Sequence, residues 1–222
     1  LLQYAFQITT KELFETGWAQ DEIKYAKRPI LEEAYVIGWF YKNRLASMIV
    51  VYNMKMNVYD NIMDMGGITG VATYPEYAGR GLIHSLVRRV LSYMNKQELP
   101  ISFLCPYSIP FYRKMGWEIC SDKLSFNVKD PQPPKPRPVT GMVERVSLDS
   151  EDYHNVHNYF AYQRHGCMIR DALSWEEYWR WDNDDMIAAV YYSTEHKPLG
   201  YVVYYIANEI FYIKEMVYLN LE

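Results

Sequence analysis

Five prolines fall within nine residues, 130–138, and this run constrains the fold more than any other feature of the sequence. It can form neither a helix nor a central strand, because each proline lacks an amide hydrogen and has a fixed φ. We therefore interpret residues 130–140 as a stiff, extended linker. The 222 residues then divide into a first domain, residues 1–129, and a second domain, residues 141–222.

The composition is that of an ordinary globular protein, with 50% hydrophobic and 23% charged residues. The net charge of -4 gives neither the basic surface of a nucleic-acid-binding protein nor a polybasic membrane patch. No apolar run approaches the roughly 18 residues of a membrane helix. Three scattered cysteines, with no Cys/His cluster, argue against a disulfide framework and a zinc site. We expect a cytoplasmic protein without a metal.

Before the linker, hydrophobic periodicity predicts antiparallel strands followed by alternating helices and strands, which is a mixed α/β (α+β) fold. The turns between the first strands are polar. The predicted strands span residues 34–41, 45–59, 62–73, 100–105 and 117–128. The predicted helices span residues 10–18, 81–96 and 109–115.

After the linker, the pattern repeats the first half of the first domain, with helices preceding an antiparallel meander. Regular structure is expected to start again at 142–146, and predicted helices follow at 152–162 and 175–181. The predicted strands span residues 186–192, 199–206 and 209–217. This order indicates a structural duplication whose second copy is incomplete. Because the sequence begins within a helical pattern and ends directly after a strand, we expect that it is a fragment of a longer protein.

The segment 70–84, GVATYPEYAGRGLIH, runs from a strand through a turn into a long amphipathic helix. Gly79 and Gly81 permit conformations that other residues avoid and allow a ligand to approach the backbone closely. The amide groups of such a turn form an anion-binding nest at the positive end of the helix dipole, to which Arg80 and His84 can add hydrogen bonds. The alternative interpretation is a tight turn without a ligand. The segment contains neither the P-loop pattern nor GxGxxG.

A second motif follows the strand at 100–105 and contains Phe111, Tyr112, Gly116 and Trp117. The two segments, in this order, resemble the GNAT superfamily of N-acetyltransferases. In that superfamily, R/QxxGxG/A binds the pyrophosphate of coenzyme A, and a later Y-x-x-x-G-F/W helix closes the site. The resemblance implies the GNAT acyl-CoA N-acyltransferase fold and acetyl-CoA as co-substrate. Glu76 departs from the motif, since Arg or Gln is usual there, and a carboxylate near phosphates is mildly unfavourable.

The resemblance also implies roles for individual residues. The backbone that would hold the pantetheine and polarise the acetyl carbonyl belongs to Val71, Ala72 and Thr73. The pyrophosphate nest would consist of Gly79, Arg80, Gly81, Leu82, Ile83 and His84. Further cofactor contacts from the next strand would come from Tyr107 and Ser108. Tyr112 corresponds to the tyrosine that protonates the departing thiolate, a feasible transfer between pKa values of about 10 and about 8.5.

The arrangement of two such domains around a proline-rich connector resembles the Eis (enhanced intracellular survival) family. Its members add a third, sterol-carrier-like domain, acetylate aminoglycosides and other amines, and form oligomers, often hexamers. The resemblance therefore implies a small-molecule amine acceptor and a homo-oligomer. It also implies that a terminal carboxylate outside this sequence acts as the general base. The alternative function is a non-catalytic GNAT-fold module that binds coenzyme A or a partner protein.

Other candidate groups have simpler interpretations. His154 and His157 share a predicted helix face near Glu151 but lack a third metal ligand, so we expect a solvated face. The acidic run 182–185 is expected to be a solvated loop. The alternating residues Met54, Met56, Met63 and Met65 are interpreted as core or interface packing. The tryptophans Trp175, Trp179 and Trp181 are expected to pack between the domains.

Overall fold

The computed structural model describes residues 1–5, 31–129, 132, 138, 140–179 and 186–220, with only the backbone of residues 3, 4 and 176–179. The predicted helix at 10–18, the acidic run 182–185 and most of the predicted linker lie outside the described residues.

The first sheet follows the predicted order, with strands β1 to β4 side by side. The first three strands are antiparallel, whereas β4 runs parallel to β3. The strands are β1 (Tyr35–Tyr41), β2 (Arg44–Val58), β3 (Asn61–Thr73) and β4 (Ile101–Leu104). The helices are α1 (Leu2–Ala5), α2 (Leu82–Lys96) and α3 (Ile109–Arg113). The mixed α/β prediction for this half is therefore confirmed.

Both faces of the first sheet are covered. The long helix α2 buries one stripe of side chains, spaced three or four residues apart: Leu86, Val87, Val90 and Met94. Alternate residues of β2 supply the two sheet faces, since Ile49 and Val51 pack with α2 whereas Met48 and Val50 pack on the opposite side. Leu173, from the second half of the chain, also packs on that opposite side.

The predicted last strand of the first domain, at 117–128, is wrong. Residues 117–129 form no strand, and the apolar side chains that alternate along them are exposed: Leu124 by 74%, Phe126 by 82% and Val128 by 61%. Alternation shows which side chains could share a sheet face. A strand also needs a neighbour for its backbone hydrogen bonds, and no described strand pairs with this segment.

The second sheet is an antiparallel meander, as predicted, in the order β5-β7-β8-β9. Its strands are β5 (Met142–Val146), β7 (Ile187–Tyr192), β8 (Pro198–Ala207) and β9 (Ile210–Tyr218). Helices α4 (Glu151–Tyr162) and α5 (Ala172–Trp179) precede β7. Trp175 lies in the core of this half, with Tyr153 and Tyr201, and not between the domains as predicted. The side chains of Trp179 and Trp181 lie outside the described residues.

A short strand that the sequence did not predict joins the two halves. Strand β6 (Met168–Ile169) leaves the second half and pairs with β2 of the first sheet, where Met168 lies opposite Met56. The joint continues at Asn57, which is fully buried. Its amide nitrogen Nδ2 donates to the carbonyl of Tyr162 over 2.7 Å, and its backbone N–H donates to the carbonyl of Cys167 over 2.9 Å.

The predicted solvated face of α4 is wrong at His157, whose side chain is buried. One ring nitrogen of His157 lies 2.9 Å from the Tyr201 hydroxyl, and the other lies 3.1 Å from the Met168 carbonyl. Beside it, the buried Arg170 forms two hydrogen bonds of 2.8 and 3.0 Å with Glu215. A helical pattern could not show this burial, because Tyr201 and Glu215 come from strands β8 and β9.

Candidate functional site

A bulge redirects the end of β3. Met48 pairs with Ala72 and Val50 pairs with Thr69, so that Ile49 alone lies opposite two residues of β3. One of these two is Gly70, which has a φ of +57°. A Cβ atom at this position would lie only 2.8 Å from Val50 Cγ2. Glycine is therefore required here by both its conformation and the close approach of β2.

Beyond the bulge, β3 and β4 separate. The parallel pairing ends with Ile68 opposite Leu104, where β4 stops, while β3 continues to Thr73. The backbone of β3 from Val71 to Thr73 therefore has no strand neighbour on this side within the described part of the chain. Unpaired backbone groups at a strand end are available to a ligand. The predicted cofactor-holding residues, Val71, Ala72 and Thr73, thus lie at an open edge.

Hydroxyl groups fix the end of β3 from its other side. Ser47 Oγ is buried and donates to the carbonyl of Ala72 over 3.0 Å. Because its proton is committed to this bond, Thr73 Oγ1 donates to Ser47 Oγ over 2.8 Å. The strand end is therefore held on the β2 side and left free on the β4 side.

The glycine-rich loop places a set of free amide groups at the start of α2. After a single 3₁₀ turn at Pro75–Tyr77, Gly81 caps the helix in the left-handed conformation, with a φ of 73°. The first amide of the helix that bonds within it belongs to Ser85, which donates to the Gly81 carbonyl. The amides that precede it have no partner in the described structure. They belong to Gly79, Arg80, Gly81, Leu82, Ile83 and His84.

The guanidinium of Arg80 folds back onto its own loop. It donates to the backbone carbonyl of Glu76 over 2.9 Å and lies 5.5 Å from the centroid of the Tyr77 ring. The carboxylate-bearing Glu76 is exposed. In this conformation Arg80 stabilises the loop shape, and the free amides remain the principal anion-binding groups of the site.

Tyr112 lies on α3 and is buried, with 5% of its surface exposed. The rings of Tyr107, Phe111 and Trp117 meet it edge-on, at centroid distances of 6.0, 5.1 and 6.3 Å. Its hydroxyl has no hydrogen-bond partner in the described structure. Burial raises the pKa of Tyr112 to about 12, with smaller contributions from Tyr107 and Cys105. The sequence-based expectation of an ordinary pKa near 10 is therefore wrong.

The later motif residues hold α3 against β4. Trp117 Nε1 donates to Ser102 Oγ of β4 over 3.2 Å, and the Trp117 backbone N–H donates to the Tyr112 carbonyl. Gly116 makes the intervening reversal with a φ of 102°, which favours glycine. The glycine and the aromatic residue that follows it therefore fix the position of Tyr112.

Tyr107 and Ser108 lie in the loop between β4 and α3, directly after the strand predicted at 100–105. The strand ends at Leu104, Tyr107 is 79% exposed, and Ser108 caps α3 without a side-chain hydrogen bond. The two prolines of this segment, Pro106 and Pro110, limit regular pairing. Both residues nevertheless lie beside Tyr112 in sequence and at the same edge of the sheet.

The predicted site residues come from the end of β3, the start of α2 and the segment after β4, and three neighbours from these segments, Val71, Ile83 and Trp117, pack against the same core cluster. Elsewhere, the described residues contain no group of three or more His, Cys, Asp or Glu side chains that could hold a metal ion. None of the described helices is long and apolar enough to cross a membrane.

Comparisons with known proteins agree with this geometry. A model of the acetyltransferase (GNAT) domain matches residues 1–120, and a second acetyltransferase (GNAT) domain model matches residues 166–222. No curated protein matches the sequence.

Several solved structures share the fold over nearly the whole chain. A probable N-acyltransferase from Enterococcus faecalis V583 is 29% identical, with a TM-score of 0.80 over 99% of this chain and 55% of the other. A GCN5-related N-acetyltransferase from Anabaena variabilis is 20% identical, with a TM-score of 0.76 and the same coverage. Eis1 from Mycobacterium abscessus is 16% identical, with a TM-score of 0.70 over 91% of this chain and 57% of the other.

The chain spans about half the length of each of these structures. Because the first domain model covers more than half of the 222 residues, the chain belongs to the GNAT acetyltransferase family, with a second GNAT-like region after the first.

Proposed function

We propose that the protein transfers the acetyl group of acetyl-CoA to a primary amine of a small cationic molecule, such as an aminoglycoside, with Tyr112 as the general acid. The observation that carries the proposal is Tyr112, a side chain only 5% exposed in the segment after β4, whose hydroxyl has no hydrogen-bond partner in the described structure. A hydroxyl without a protein partner is available to a bound molecule.

Acetyl-CoA would bind along the open edge. The free amides from Gly79 to His84 would hold its pyrophosphate, because these six N–H groups have no partner in the described structure and lie at the positive end of α2. The pantetheine arm would extend between β3 and β4 and hydrogen-bond to the free backbone of β3. A donor from Val71 to Thr73 would then polarise the acetyl carbonyl.

The neutral amine would attack the thioester carbonyl directly, and the carbon–sulfur bond would break to release the coenzyme A thiolate. Tyr112 would donate its proton to this sulfur as charge develops on it. With a pKa of about 12, Tyr112 is fully protonated at neutral pH. The same burial that raises the pKa of the phenol also raises the pKa of the departing thiol, which keeps the transfer feasible.

The acceptor and the general base rest on resemblance. The net charge of -4 favours a cationic acceptor, and the Eis resemblance adds aminoglycosides as candidates and a base from outside this sequence. The three cysteines are free in the structure, which fits a cytoplasmic protein.

The second candidate is a non-catalytic module that binds coenzyme A. Glu76 favours it, because this position usually carries Arg or Gln, and Arg80 is engaged with its own loop. Binding of acetyl-CoA without turnover of any amine would support this candidate.

The test is acetyl-CoA-dependent thiol release by the protein with aminoglycosides, polyamines and lysine peptides. Tyr112→Phe should lower turnover by about 10²–10⁴-fold, the usual contribution of general acid catalysis, and leave acetyl-CoA affinity nearly unchanged. Tyr93→Phe is the matched control, because Tyr93 stacks on Tyr35 at the other end of α2. Equal turnover in the two variants would remove Tyr112 from the mechanism.

A further inference from the structure

The turn between β2 and β3 lies against the second half of the chain. Its two residues, Tyr59 and Asp60, have φ values of 48° and 64°, and we call them the hairpin tip. The backbone N–H of Tyr59 donates to Nδ1 of His165 over 3.2 Å. The rings of Tyr59 and His165 also stack, with their centroids 3.9 Å apart and their planes inclined by 13°. Because His165 belongs to the loop between α4 and β6, this contact joins the two halves.

The direction of this hydrogen bond determines the protonation state of the imidazole. A backbone N–H can only donate, so Nδ1 of His165 must offer a lone pair. The ring is therefore neutral, with its single proton on Nε2. A neutral imidazole has one donor and one acceptor nitrogen, whereas an imidazolium has two donors. A second proton on His165 would turn two N–H groups towards each other and remove the hydrogen bond to Tyr59.

The hairpin tip has a conformation that is uncommon for an aromatic residue, since Tyr59 lies in the left-handed region. Two other described hairpins have the same kind of two-residue turn, with positive φ at both positions, at 42–43 and 208–209. Within the part of the chain that the structure describes, neither of these turns bonds to a histidine. The contact with His165 therefore distinguishes the hairpin tip from two turns of the same backbone shape.

We propose that His165 is a pH-sensitive switch between the two halves, whose neutral ring holds the hairpin tip and whose protonation at Nδ1 releases the Tyr59 N–H. Histidine is the side chain whose charge ordinarily changes between pH 5 and pH 8. The side chain of Asn57 would stay bonded to the Tyr162 carbonyl, because neither group titrates. Protonation thus frees the hairpin tip without separating the two halves.

The charged groups near the switch act on the imidazolium but do not restore the lost bond. Asp60 in the hairpin tip would attract it, and Arg164, the preceding residue, would repel it. On the adjoining strands Lys55 and Asp64 pair with each other over 3.8 Å. The ring of Tyr59 can attract an imidazolium through its face, which would favour the stacked contact. Because a protonated Nδ1 cannot accept a hydrogen bond, loss of protection of the Tyr59 N–H is the specific sign of the switch.

Amide hydrogen exchange, followed by NMR at pH 8 and pH 5 and corrected for the intrinsic pH dependence of exchange, tests this proposal. We expect the protection of the Tyr59 N–H to fall about three- to tenfold at pH 5, which corresponds to the loss of one hydrogen bond. The turns at 42–43 and 208–209 are controls within the same molecule and should keep their protection. His157, whose pKa is about 4, stays mainly neutral over this range.

Two variants separate the switch from a merely structural contact. His165→Phe keeps an aromatic ring but accepts no hydrogen bond, so the Tyr59 N–H should have the lower protection at both pH values. His196→Asn removes an exposed histidine from another turn and should retain the response. The nitrogen chemical shifts of His165 at pH 8 show which ring nitrogen carries the proton. A proton on Nδ1 at pH 8, unchanged protection of Tyr59, or an equal loss at all three turns would overturn the proposal.

Discussion

The two GNAT-like regions of this chain use their polar groups in opposite ways. Around the open edge of the first sheet, six amides of the glycine-rich loop and the first turn of α2, together with the Tyr112 hydroxyl, have no partner in the described structure. In the second region, His157 bonds to Tyr201 and Met168, and Arg170 bonds twice to Glu215. The first region leaves its polar groups for a ligand, whereas the second uses them to hold its own core.

This difference indicates which region offers polar groups to a ligand. Polar groups without a protein partner near the surface are available to a ligand. A buried hydrogen-bonded network mainly fixes packing, even though the Trp175 indole N–H in the core of the second region has no hydrogen-bond partner in the described structure. We infer that the first region carries the donor site and that the second region supports it through β6 and Asn57.

The largest expected effect is a loss of stability caused by a substitution in the second region alone. Arg170→Met would leave Glu215 without its partner in a mostly buried position, which should lower the free energy of unfolding by about 3–5 kcal/mol. Acetyl-CoA affinity, measured where the variant remains folded, should change little. Chemical denaturation and calorimetric titration measure the two quantities. If the variant lost acetyl-CoA affinity as strongly as it lost stability, the two regions would not differ as described.

The next largest effect is a loss of stability of the second region at acidic pH. Burial, together with the nearby Arg170, lowers the pKa of His157 to about 4, with Glu215 acting in the opposite direction and His154 adding a small decrease. The folded protein keeps His157 neutral, while the unfolded chain binds a proton below about pH 6.5. Its contribution to stability is therefore complete above pH 6.5 and is lost as the pH falls towards 4, by at most about 3 kcal/mol.

Denaturation curves between pH 7 and pH 4 test this dependence. A His157→Gln variant keeps a donor and an acceptor but does not titrate, so its stability should fall less steeply with acid. Parallel pH profiles for the two proteins would show that His157 is not the responsible group.

The smallest expected effect concerns the first region. At Gly81 a Cβ atom would meet no protein atom within 4 Å, so Gly81→Ala should cost only the backbone strain of a φ of 73°, about 1–2 kcal/mol. Relief of this strain would shift the free amides, and the dissociation constant for acetyl-CoA should rise about tenfold. Arg88→Ala, on the exposed side of α2, is the control for stability. An unchanged dissociation constant would argue against the amide nest.

Sequence patterns predicted the parts of the molecule that depend on local spacing. The helix α2, the long strands and the loop around Gly79 and Gly81 could be predicted because each is specified within about twenty residues of chain. The motif around Tyr112 could be predicted for the same reason. Its raised pKa could not, because that value depends on burial beneath Trp117 and Phe111.

Features that depend on distant partners were missed. The network around His157 requires residues from β8 and β9, and β6 contributes only two residues, which is too short for any periodicity. At 117–128 the sequence pattern predicted an element that is absent, because the residues alternate as in a strand but no described strand pairs with them. Pairing depends on the sheet as a whole, and a single segment does not encode it.

The hairpin formed by β2 and β3 has a consequence for insertions and deletions. From Ala46 to Tyr52, β2 is buried on both faces, so apolar alternation does not by itself distinguish one register from the next. The polar side chains near the ends of β2 fix its register, because Ser47 bonds to the end of β3 and Asn57 bonds to the second region. Loss or gain of one residue between these anchors would misplace one of them. We therefore expect length variation among homologues to be confined to the turns at 42–43 and 59–60.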